Sequence, residues 1–328
     1  MADVALPVAN SGTSTKTFRS RVIVALPVVV LIVLVSVVTM RQSSFLELRS
    51  LQSLSISLAP ILLLGLGQTF VVLTGGIDLS IAALTSLGTV LLATWLPHLG
   101  AGSALLMILT LGLIGFMTGW LSAKAQIPTF IVTLGGMGLW GGVGMLVSGA
   151  STVQIGDSYK YIAWVRNQLL LQVPMPAVIA LGAVIVAATL MTTLTRGRRF
   201  HAVGLAEQAV LMSGGSTFAV RCAAFTLSGL FAGIAALVLT ASQYSGAPTL
   251  ADSLLLPVIA SIVVGGTAIT GGSGGPIRTL IGASIIVVLR VSLSAIGVSA
   301  AYEQVVYGAV IIAAVALTID RTRIRVVK

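Results

Sequence analysis

Charged residues are scarce in this 328-residue chain: they make up 8% of the sequence, whereas hydrophobic residues make up 57%. An ordinary soluble domain carries roughly 25% charged residues, which cover its water-facing surface. The mean hydropathy of this chain is +1.10. The composition therefore excludes a water-soluble globular fold and predicts a protein that uses the lipid bilayer as its solvent.

Reactive and metal-binding side chains are also few. The single cysteine, Cys222, excludes an internal disulfide framework and any multi-cysteine metal site. The two histidines, His98 and His201, fall in predicted loops on opposite sides of the membrane, so they cannot share a metal or form a catalytic pair. The sequence accordingly predicts no catalytic residue, no metal site and no enzyme.

Long apolar runs fill most of the chain. Inside a bilayer the main-chain polar groups must be satisfied within the segment, so each run of about 20 residues predicts a transmembrane helix. The first run is too long for a signal-peptide core and lacks a cleavage pattern, so it is predicted to be retained. We predict one transmembrane domain, residues 22–320, between polar tails 1–21 and 321–328, with spans at 22–40, 51–73, 77–96, 102–123, 128–148, 174–194, 219–241, 252–270, 277–297 and 302–319.

Basic residues set the predicted orientation. The net charge is +10 and the pI about 10.7, but the basic residues are spread over short loops and both tails, which indicates membrane topology rather than nucleic-acid binding. Ten spans place 13 of them on one side: Lys16, Arg19, Arg21, Lys124, Arg196, Arg198, Arg199, Arg221, Arg278, Arg321, Arg323, Arg325 and Lys328. The other side holds Arg41, Arg49, Lys160 and Arg166. Both termini are therefore predicted to be cytoplasmic.

An even number of spans also permits internal symmetry. Ten helices divide into two sets of five, and because five is odd the second set must run opposite to the first. Spans 2–5 and 7–10 are the candidates for this inverted repeat. The segments Val71–Gly76 (VVLTGG) and Val263–Gly266 (VVGG) are a short textual match between the two halves. The predicted fold is thus an all-α integral membrane protein of about ten transmembrane helices in an inverted five-plus-five arrangement.

Ionisable groups are nearly absent from the predicted spans. Only Arg290 is clearly inside one, which argues against a proton relay, because such relays need acidic or histidine side chains in the membrane. The run Gly271–Gly275 lacks the Gly-Lys-Ser/Thr ending of a phosphate-binding loop. We predict that this chain binds no nucleotide, so that active transport would draw its energy from another subunit.

Arg290 has three readings. It lies roughly 20 Å along span 9 from the cytoplasmic start of that span, in the outer part of the bilayer. There it could pair with Asp252 or Glu303, which are predicted near the outer ends of neighbouring spans. The alternatives are a side chain that snorkels to the surface or a hydrogen-bond donor that faces sugar hydroxyls.

The longest cytoplasmic connection, residues 195–219, has an ordered pattern. A basic edge, Arg196–Arg199, precedes a predicted short helix over Gly204–Gly214, which ends at Gly214. One acidic residue and an apolar face suit such a helix to a groove on a partner protein. A helix lying on the bilayer surface fits the residues equally well.

Four segments carry a family resemblance. They are Gly67–Ser80 (GQTFVVLTGGIDLS), Ile127–Gly135 (IPTFIVTLG), Gly197–Gly214, and Val264–Thr267 (VGGT), the last followed by Gly271, Gly272 and Gly282. In order and spacing they resemble the sugar-importing ABC transporter permeases of the ribose, xylose and galactofuranose branch. The resemblance covers the chain from about residue 50 to 320.

This resemblance implies a type II ABC importer-like permease. Its partners would be a cytoplasmic ATP-binding subunit, a periplasmic sugar-binding protein, a second permease copy or homologue, and membrane lipid. ATP and Mg would sit on the partner subunit, with no cofactor in this chain. The loop around Glu207 is similar to the family's coupling helix, and this implies contact with the ATPase at Gly204, Glu207, Ala209 and Gly214. The chain departs from the usual Glu-Ala-Ala pattern at Gln208, which leaves the identity of the ATPase partner open.

The resemblance also implies a cytoplasmic gate. Asp78 follows a glycine turn at the start of span 3, where it would cap that helix, line the inner gate, or do both. The nearby glycines would permit close helix approach and tight turns, or line the mouth of the pathway. The candidate gate residues are Gly75, Gly76, Asp78, Ser80, Gly265, Gly266, Gly271 and Gly272.

The predicted function is that of an inner-membrane permease subunit of a binding-protein-dependent sugar importer. The same architecture would also suit another small solute, such as a nucleoside, a lipid-derived signal (autoinducer) or a branched amino acid. An ion-coupled carrier that works as a single chain and a purely structural membrane scaffold are the competing classes.

Overall fold

The computed structural model describes residues 13–193 and 195–318. An apolar helix lies at each of the ten predicted spans, and two further helices, α6 and α8, lie in connections. Numbered in chain order, the helices are α1 (Thr13–Arg41), α2 (Leu48–Leu73), α3 (Ile81–Leu99), α4 (Gly102–Ala125), α5 (Thr129–Ser148), α6 (Ala163–Asn167), α7 (Met175–Thr193), α8 (Thr195–Met212), α9 (Thr217–Gln243), α10 (Leu255–Val264), α11 (Pro276–Ala295) and α12 (Ala300–Thr318).

Seven helices in the described part of the chain are long and apolar enough to cross a membrane: α2, α3, α4, α5, α7, α9 and α11. Three shorter apolar segments, Ala25–Arg41, Asp252–Val264 and Tyr302–Ala316, lie at the other predicted spans. The prediction of an all-α membrane protein is confirmed.

Two predicted boundaries differ from the structure. Helix α1 begins at Thr13, inside the predicted polar tail 1–21, while the predicted tail 321–328 lies outside the described residues. The predicted span 252–270 is wrong, because α10 has only ten residues and gives way to an irregular segment, 265–275. Gly266 and Gly271 adopt φ values of +89° and +91°, which end helical geometry. Ten residues rise about 15 Å, roughly half of the hydrocarbon core.

Helix packing repeats between the two halves of the chain. Helices α2 and α9 pack against each other, α2 also packs against α10 and α11, and α9 packs correspondingly against α3 and α4. Within the halves, α3 contacts α4 and α5 just as α10 contacts α11 and α12. Helices α2–α5 and α9–α12 therefore form the predicted repeat, whereas α1 packs on α11 and α7 packs on α2, outside this pattern.

The textual match between VVLTGG and VVGG does not reflect the repeat. Val71–Gly76 ends α2, and the helix equivalent to α2 is α9; Val263–Gly266 ends α10, whose equivalent is α3. Both segments end helices with glycine turns, which explains their similarity without common placement.

Small residues allow the central helices to approach closely. A methyl group added at Gly115 of α4 would overlap the carbonyl oxygen of Phe225 in α9, and one added at Gly229 of α9 would overlap the carbonyl oxygen of Leu111 in α4. Main chains pack directly here, as is typical of membrane helices that lack a hydrophobic driving force between them. The largest buried side chains around this contact include Phe70 and Phe225.

The two ends of the helix bundle differ. Helix α8 lies at one end, which we call the α8 end. At the opposite end, β1 (Val153–Gln154) pairs antiparallel with β4 (Ser245–Gly246), and β2 (Leu169–Leu170) pairs with β3 (Val173–Pro174). The rings of Tyr159, in the segment after β1, and Tyr244, just before β4, lie 4.5 Å apart and join these two segments. Neither of these two sheets was predicted from the sequence, because their strands have only two residues each.

Candidate functional site

Helix α8 is broken in the middle. Ala206 has φ −158° and ψ 80°, so the helix divides into residues 195–205 and 207–212. The predicted short helix over 204–214 therefore begins too early, since its regular part starts only after Ala206. Its predicted end is confirmed: Gly214 has φ +77°, its N–H donates to the Leu211 carbonyl, and the Gly215 N–H donates to the Val210 carbonyl. This pair of bonds is a Schellman motif.

Four glycines that the sequence analysis assigned to two different roles meet at the α8 end. The coupling candidate Gly204 touches the Leu73 carbonyl and the Gly272 amide, and a methyl group at Gly204 would overlap both. The Gly272 N–H donates to the Leu73 carbonyl at 3.0 Å. A Cβ added at Gly271 would lie 2.8 Å from the Gly75 nitrogen and 3.1 Å from the Gly204 Cα. We call Gly75, Gly204, Gly271 and Gly272 the glycine junction.

The glycine junction joins three chain segments through main-chain atoms. Gly75 belongs to the turn after α2, Gly204 to α8, and Gly271 with Gly272 to the irregular segment before α11. Because no side chain separates these backbones, displacement of one segment must be met by the other two. The structure thus connects the predicted coupling segment directly to two predicted gate segments.

Glu207 forms an ion pair inside the chain. Arg221 Nη2, near the start of α9, donates to Glu207 Oε2 at 2.7 Å, and both side chains are partly exposed. Beside this pair is a cavity of about 500 Å³. Its lining combines the turn after α2, the α4–α5 connection and α8, through Thr74, Gly75, Gly76, Ser122, Gln126, Ile127, Pro128, Thr129, Glu207, Gln208, Leu211 and Arg221. The lining does not include Ala209, the remaining coupling candidate.

Asp78 is buried, with 3% of its surface exposed. Its Oδ1 accepts hydrogen bonds from the Ser80 N–H at 3.0 Å and the Ser80 hydroxyl at 2.6 Å. Its Oδ2 accepts one from the Ser228 hydroxyl of α9 at 2.8 Å. The side-chain amide of Gln68 lies 3.1 Å from both the main-chain nitrogen and the main-chain oxygen of Asp78. The carboxylate therefore holds the turn before α3 and ties it to α9, while the N-cap position of α3 is Ser80, which makes no side-chain capping bond.

The remaining gate candidates separate into two groups. Gly76 lies against Thr129, whose hydroxyl accepts a hydrogen bond from the Ile77 N–H at 3.2 Å. Gly265 and Gly266 instead belong to the α10–α11 contact, where Arg278 Nη1 donates to the Gly266 carbonyl at 2.8 Å. Gly265 and Gly266 therefore allow α10 and α11 to pack closely, and they are not part of the glycine junction.

Arg290 lies away from these residues. Its Nε is 3.3 Å from Glu303 Oε2 in α12, with the arginine side chain 50% exposed. Of the two predicted partners, the structure selects Glu303. Asp252 instead accepts a hydrogen bond from the Ser86 hydroxyl at 2.9 Å.

Three partners in this region are not predicted from the sequence. Arg221 was counted only as a topological charge, and Ser228 and Gln68 were not singled out. Arg221 lies fourteen residues from Glu207, and Ser228 lies 150 residues from Asp78. A polar side chain inside an apolar helix indicates that the side chain has a partner, because such groups need partners in a bilayer. The sequence does not show which residue that partner is.

The two histidines lie in helices. His98 is in the last turn of α3 and His201 is in α8, whereas both were predicted in loops. Burial and the charge of Arg278 lower the pKa of His201, so its neutral form is favoured. Among the described residues, no group of three or more His, Cys, Asp or Glu side chains is arranged to hold a metal ion.

Helices of spanning length, an internal repeat and glycine-lined helix breaks define a multi-pass membrane protein of the permease class. Comparison with known families agrees: residues 50–315 match the family described as branched-chain amino acid transport system / permease component, and the chain belongs to this family. Its members are transport components rather than enzymes.

Individual relatives are similar over most of the chain. The ribose import permease protein RbsC of Bacillus subtilis (strain 168) is 35% identical over 295 residues, 89% of this chain and 91% of the relative. RbsC of Escherichia coli (strain K12) is 34% identical over 88% of this chain and 91% of its own length. The D-allose transport system permease protein AlsC of the same strain is 29% identical over 83% of this chain and 84% of its length. Comparison with solved structures found no match.

Proposed function

We propose that this chain is the transmembrane permease subunit of an ATP-driven, binding-protein-dependent importer that carries a monosaccharide across the bacterial inner membrane. The observation that carries the proposal is the similarity to ribose and allose permeases over 83% or more of the chain. The glycine junction supports it, because it links a segment suited to partner docking with the segments that flank Asp78.

The proposed assembly contains several partners. A cytoplasmic ATP-binding subunit, which would hold ATP and Mg, docks on residues 207–212 of α8. A periplasmic sugar-binding protein delivers the solute to the end of the bundle that carries residues 149–174, and a second permease copy or homologue completes the pathway. Both chain termini and α8 lie on the cytoplasmic side in this arrangement, as the distribution of basic residues favours.

Two physical links would carry motion from the ATPase to the inner gate. One is the glycine junction, where Gly204 meets both gate segments. The other runs from Glu207 to Arg221, then along α9 to Ser228 and across to Asp78. Arg221 and Ser228 are seven residues apart, about two helical turns, so they lie on the same face of α9. A shift of α8 would therefore move both α9 and the loop that contains Asp78.

A second candidate is the same architecture with another solute. The family description names branched-chain amino acid transport, which keeps an amino acid among the candidates. A nucleoside or an autoinducer fits the architecture as well. The ribose and allose relatives favour a sugar over these solutes.

The proposal is tested by reconstituting the chain with its ATPase and binding protein in liposomes. Sugar uptake is expected to require ATP and both partners, whereas uptake by the isolated chain in an ion gradient would contradict the proposal. Glu207→Arg is expected to abolish sugar-stimulated ATPase activity. Glu47→Arg, the same exchange at an exposed site on the opposite end of the bundle, serves as the control and should leave it unchanged.

A charge exchange separates the two roles of Glu207. If Glu207 acts only through its ion pair with Arg221, the double variant Glu207→Arg with Arg221→Glu restores the pair and the activity. If Glu207 also contacts the ATPase, the double variant stays inactive, because the docking surface still carries the wrong charge.

A further inference from the structure

The loops before α3 and α10 each carry an aspartate at the same distance from the helix that follows. Asp78 lies three residues before Ile81, the first residue of α3, and Asp252 lies three residues before Leu255, the first residue of α10. Helices α3 and α10 are equivalent in the packing of the two halves. The two aspartates therefore occupy corresponding positions in the inverted repeat, although only Asp78 stood out in the sequence.

Hydrogen bonds from the last helix of each half extend this correspondence. In α5, the Thr133 hydroxyl donates to the carbonyl of Ile77, next to Asp78, at 3.1 Å. In α12, Gln304 Nε2 donates to the carbonyl of Ser253, next to Asp252, at 3.3 Å. Thr133 and Gln304 are each four residues beyond the first residue of their helix. Both acidic loops are thus held at the main chain by equivalent helices.

The two loops enter the bundle from opposite ends. Asp252 accepts its hydrogen bond from Ser86, which lies six residues along α3 from Ser80, a partner of Asp78. Six residues of α-helix rise about 9 Å. The residues of α3 that bind the two carboxylates are therefore about 9 Å apart along the helix, although each carboxylate belongs to a loop from a different side.

The aspartates differ in exposure. Asp78 is 3% exposed and accepts three hydrogen bonds from Ser80 and Ser228, whereas Asp252 is exposed and accepts one from Ser86. In inverted-repeat transporters, access alternates as one half moves against the other around a site near the middle of the bilayer. By this symmetry, the buried Asp78 loop corresponds to a closed side and the exposed Asp252 loop to an open side.

We propose that Asp252 is the outer counterpart of Asp78, and that the two carboxylates close opposite sides of the solute pathway in alternation. This inference rests on the proposed function and assigns a role to a residue outside the coupling and gate candidates. The structure corresponds to the state with the Asp78 loop closed and the Asp252 loop open. In the other state, Asp252 is buried and Asp78 becomes accessible.

Cysteine accessibility tests the alternation. Cys222 is the only cysteine and is buried, so a Cys222→Ala chain is the background for Asp78→Cys, Asp252→Cys and the exposed control Glu47→Cys. The full complex is labelled with a membrane-impermeant maleimide from each side, without nucleotide and after trapping with ADP and vanadate. The rate at Asp252→Cys is expected to change about tenfold between the states, with an opposite change at Asp78→Cys and none at Glu47→Cys. Equal labelling of Asp252→Cys in both states overturns the proposal.

Uptake by amide variants gives an independent readout. Asp252→Asn is expected to lower ATP-driven uptake about tenfold without loss of assembly, whereas Glu47→Gln, an exposed site outside residues 149–174, stays within twofold of the unaltered chain. Uptake by Asp252→Asn within twofold of the unaltered chain overturns the inference and leaves the proposed function standing. Absence of ATP-driven uptake by the unaltered complex would overturn both. Asp78→Cys is not required for either decision, so its failure to fold would not obscure the result.

Discussion

Replacing Gly271 by alanine is expected to break the glycine junction. Gly271 has φ +91°, and a side chain in the left-handed region costs roughly 1–2 kcal/mol. The added Cβ would lie 2.8 Å from the Gly75 nitrogen and 3.1 Å from the Gly204 Cα, so main-chain segments must separate. Overpacking of this kind costs about 1–3 kcal/mol. The expected loss of unfolding free energy is therefore about 2–5 kcal/mol.

Gly297→Ala is the matched control. Gly297 has φ +80°, but nothing lies within 4 Å of a Cβ added there, so only the backbone cost of about 1–2 kcal/mol applies. Unfolding free energies are measured by denaturant titration in detergent, and ATP-driven uptake is measured per folded complex. Uptake is expected to fall about tenfold in Gly271→Ala and to persist in Gly297→Ala. Equal losses of stability and uptake in the two variants would refute the role given to the junction.

Two further predictions concern polar pairs. The Oγ1 atoms of Thr69 and Thr279 lie 2.6 Å apart in the core. Each hydroxyl can also donate to the carbonyl four residues earlier, that of Gly65 or Gly275, so neither is left unpaired when the other is replaced. Thr69→Val or Thr279→Val should therefore each lower the unfolding free energy by about 0.5–1.5 kcal/mol. The double variant should lose less than the sum, and strict additivity in the double-mutant cycle would contradict this coupling. Arg290→Met should lower the unfolding free energy by about 1–3 kcal/mol, because Glu303, whose side chain is only 15% exposed, loses its ion-pair partner. A marked fall in uptake by Arg290→Met would instead favour a role of Arg290 in the pathway.

Local sequence patterns predicted the features that depend on neighbouring residues. The positions of the apolar helices follow from hydropathy, and the end of α8 at Gly214 follows from glycine at a positive φ. The length of α10 did not follow, because an apolar run looks the same whether it forms a half-helix or a full span. The apolar run of α10 continues past Val264. The helix nevertheless ends there, because of the glycine turns and their contacts with α11.

Contacts between distant segments could not be predicted in the same way. The Glu207–Arg221 pair and the kink at Ala206 depend on how α8 meets its neighbours in space, and the Ser228–Asp78 bond depends on how α9 meets the loop before α3. The correspondence between Asp78 and Asp252 needed the packing pattern, because the textual match between the two halves joined helices that are not equivalent.

The shortage of charged residues explains why the segments are linked by main-chain contacts and by hydrogen bonds from hydroxyl groups. An unpaired charge in a bilayer is costly, so a pathway for a neutral polyhydroxyl solute is better lined and moved by main chain and hydroxyl groups. The structure follows this rule: Asp78 is satisfied by two serines, and the junction around Gly204 contains main-chain contacts from three segments. Charged partners occur at the α8 end, where Arg221 and Glu207 are partly exposed. Energy supplied at that end would therefore reach the interior through packing and hydrogen bonds from hydroxyl groups, without moving a charge across the membrane.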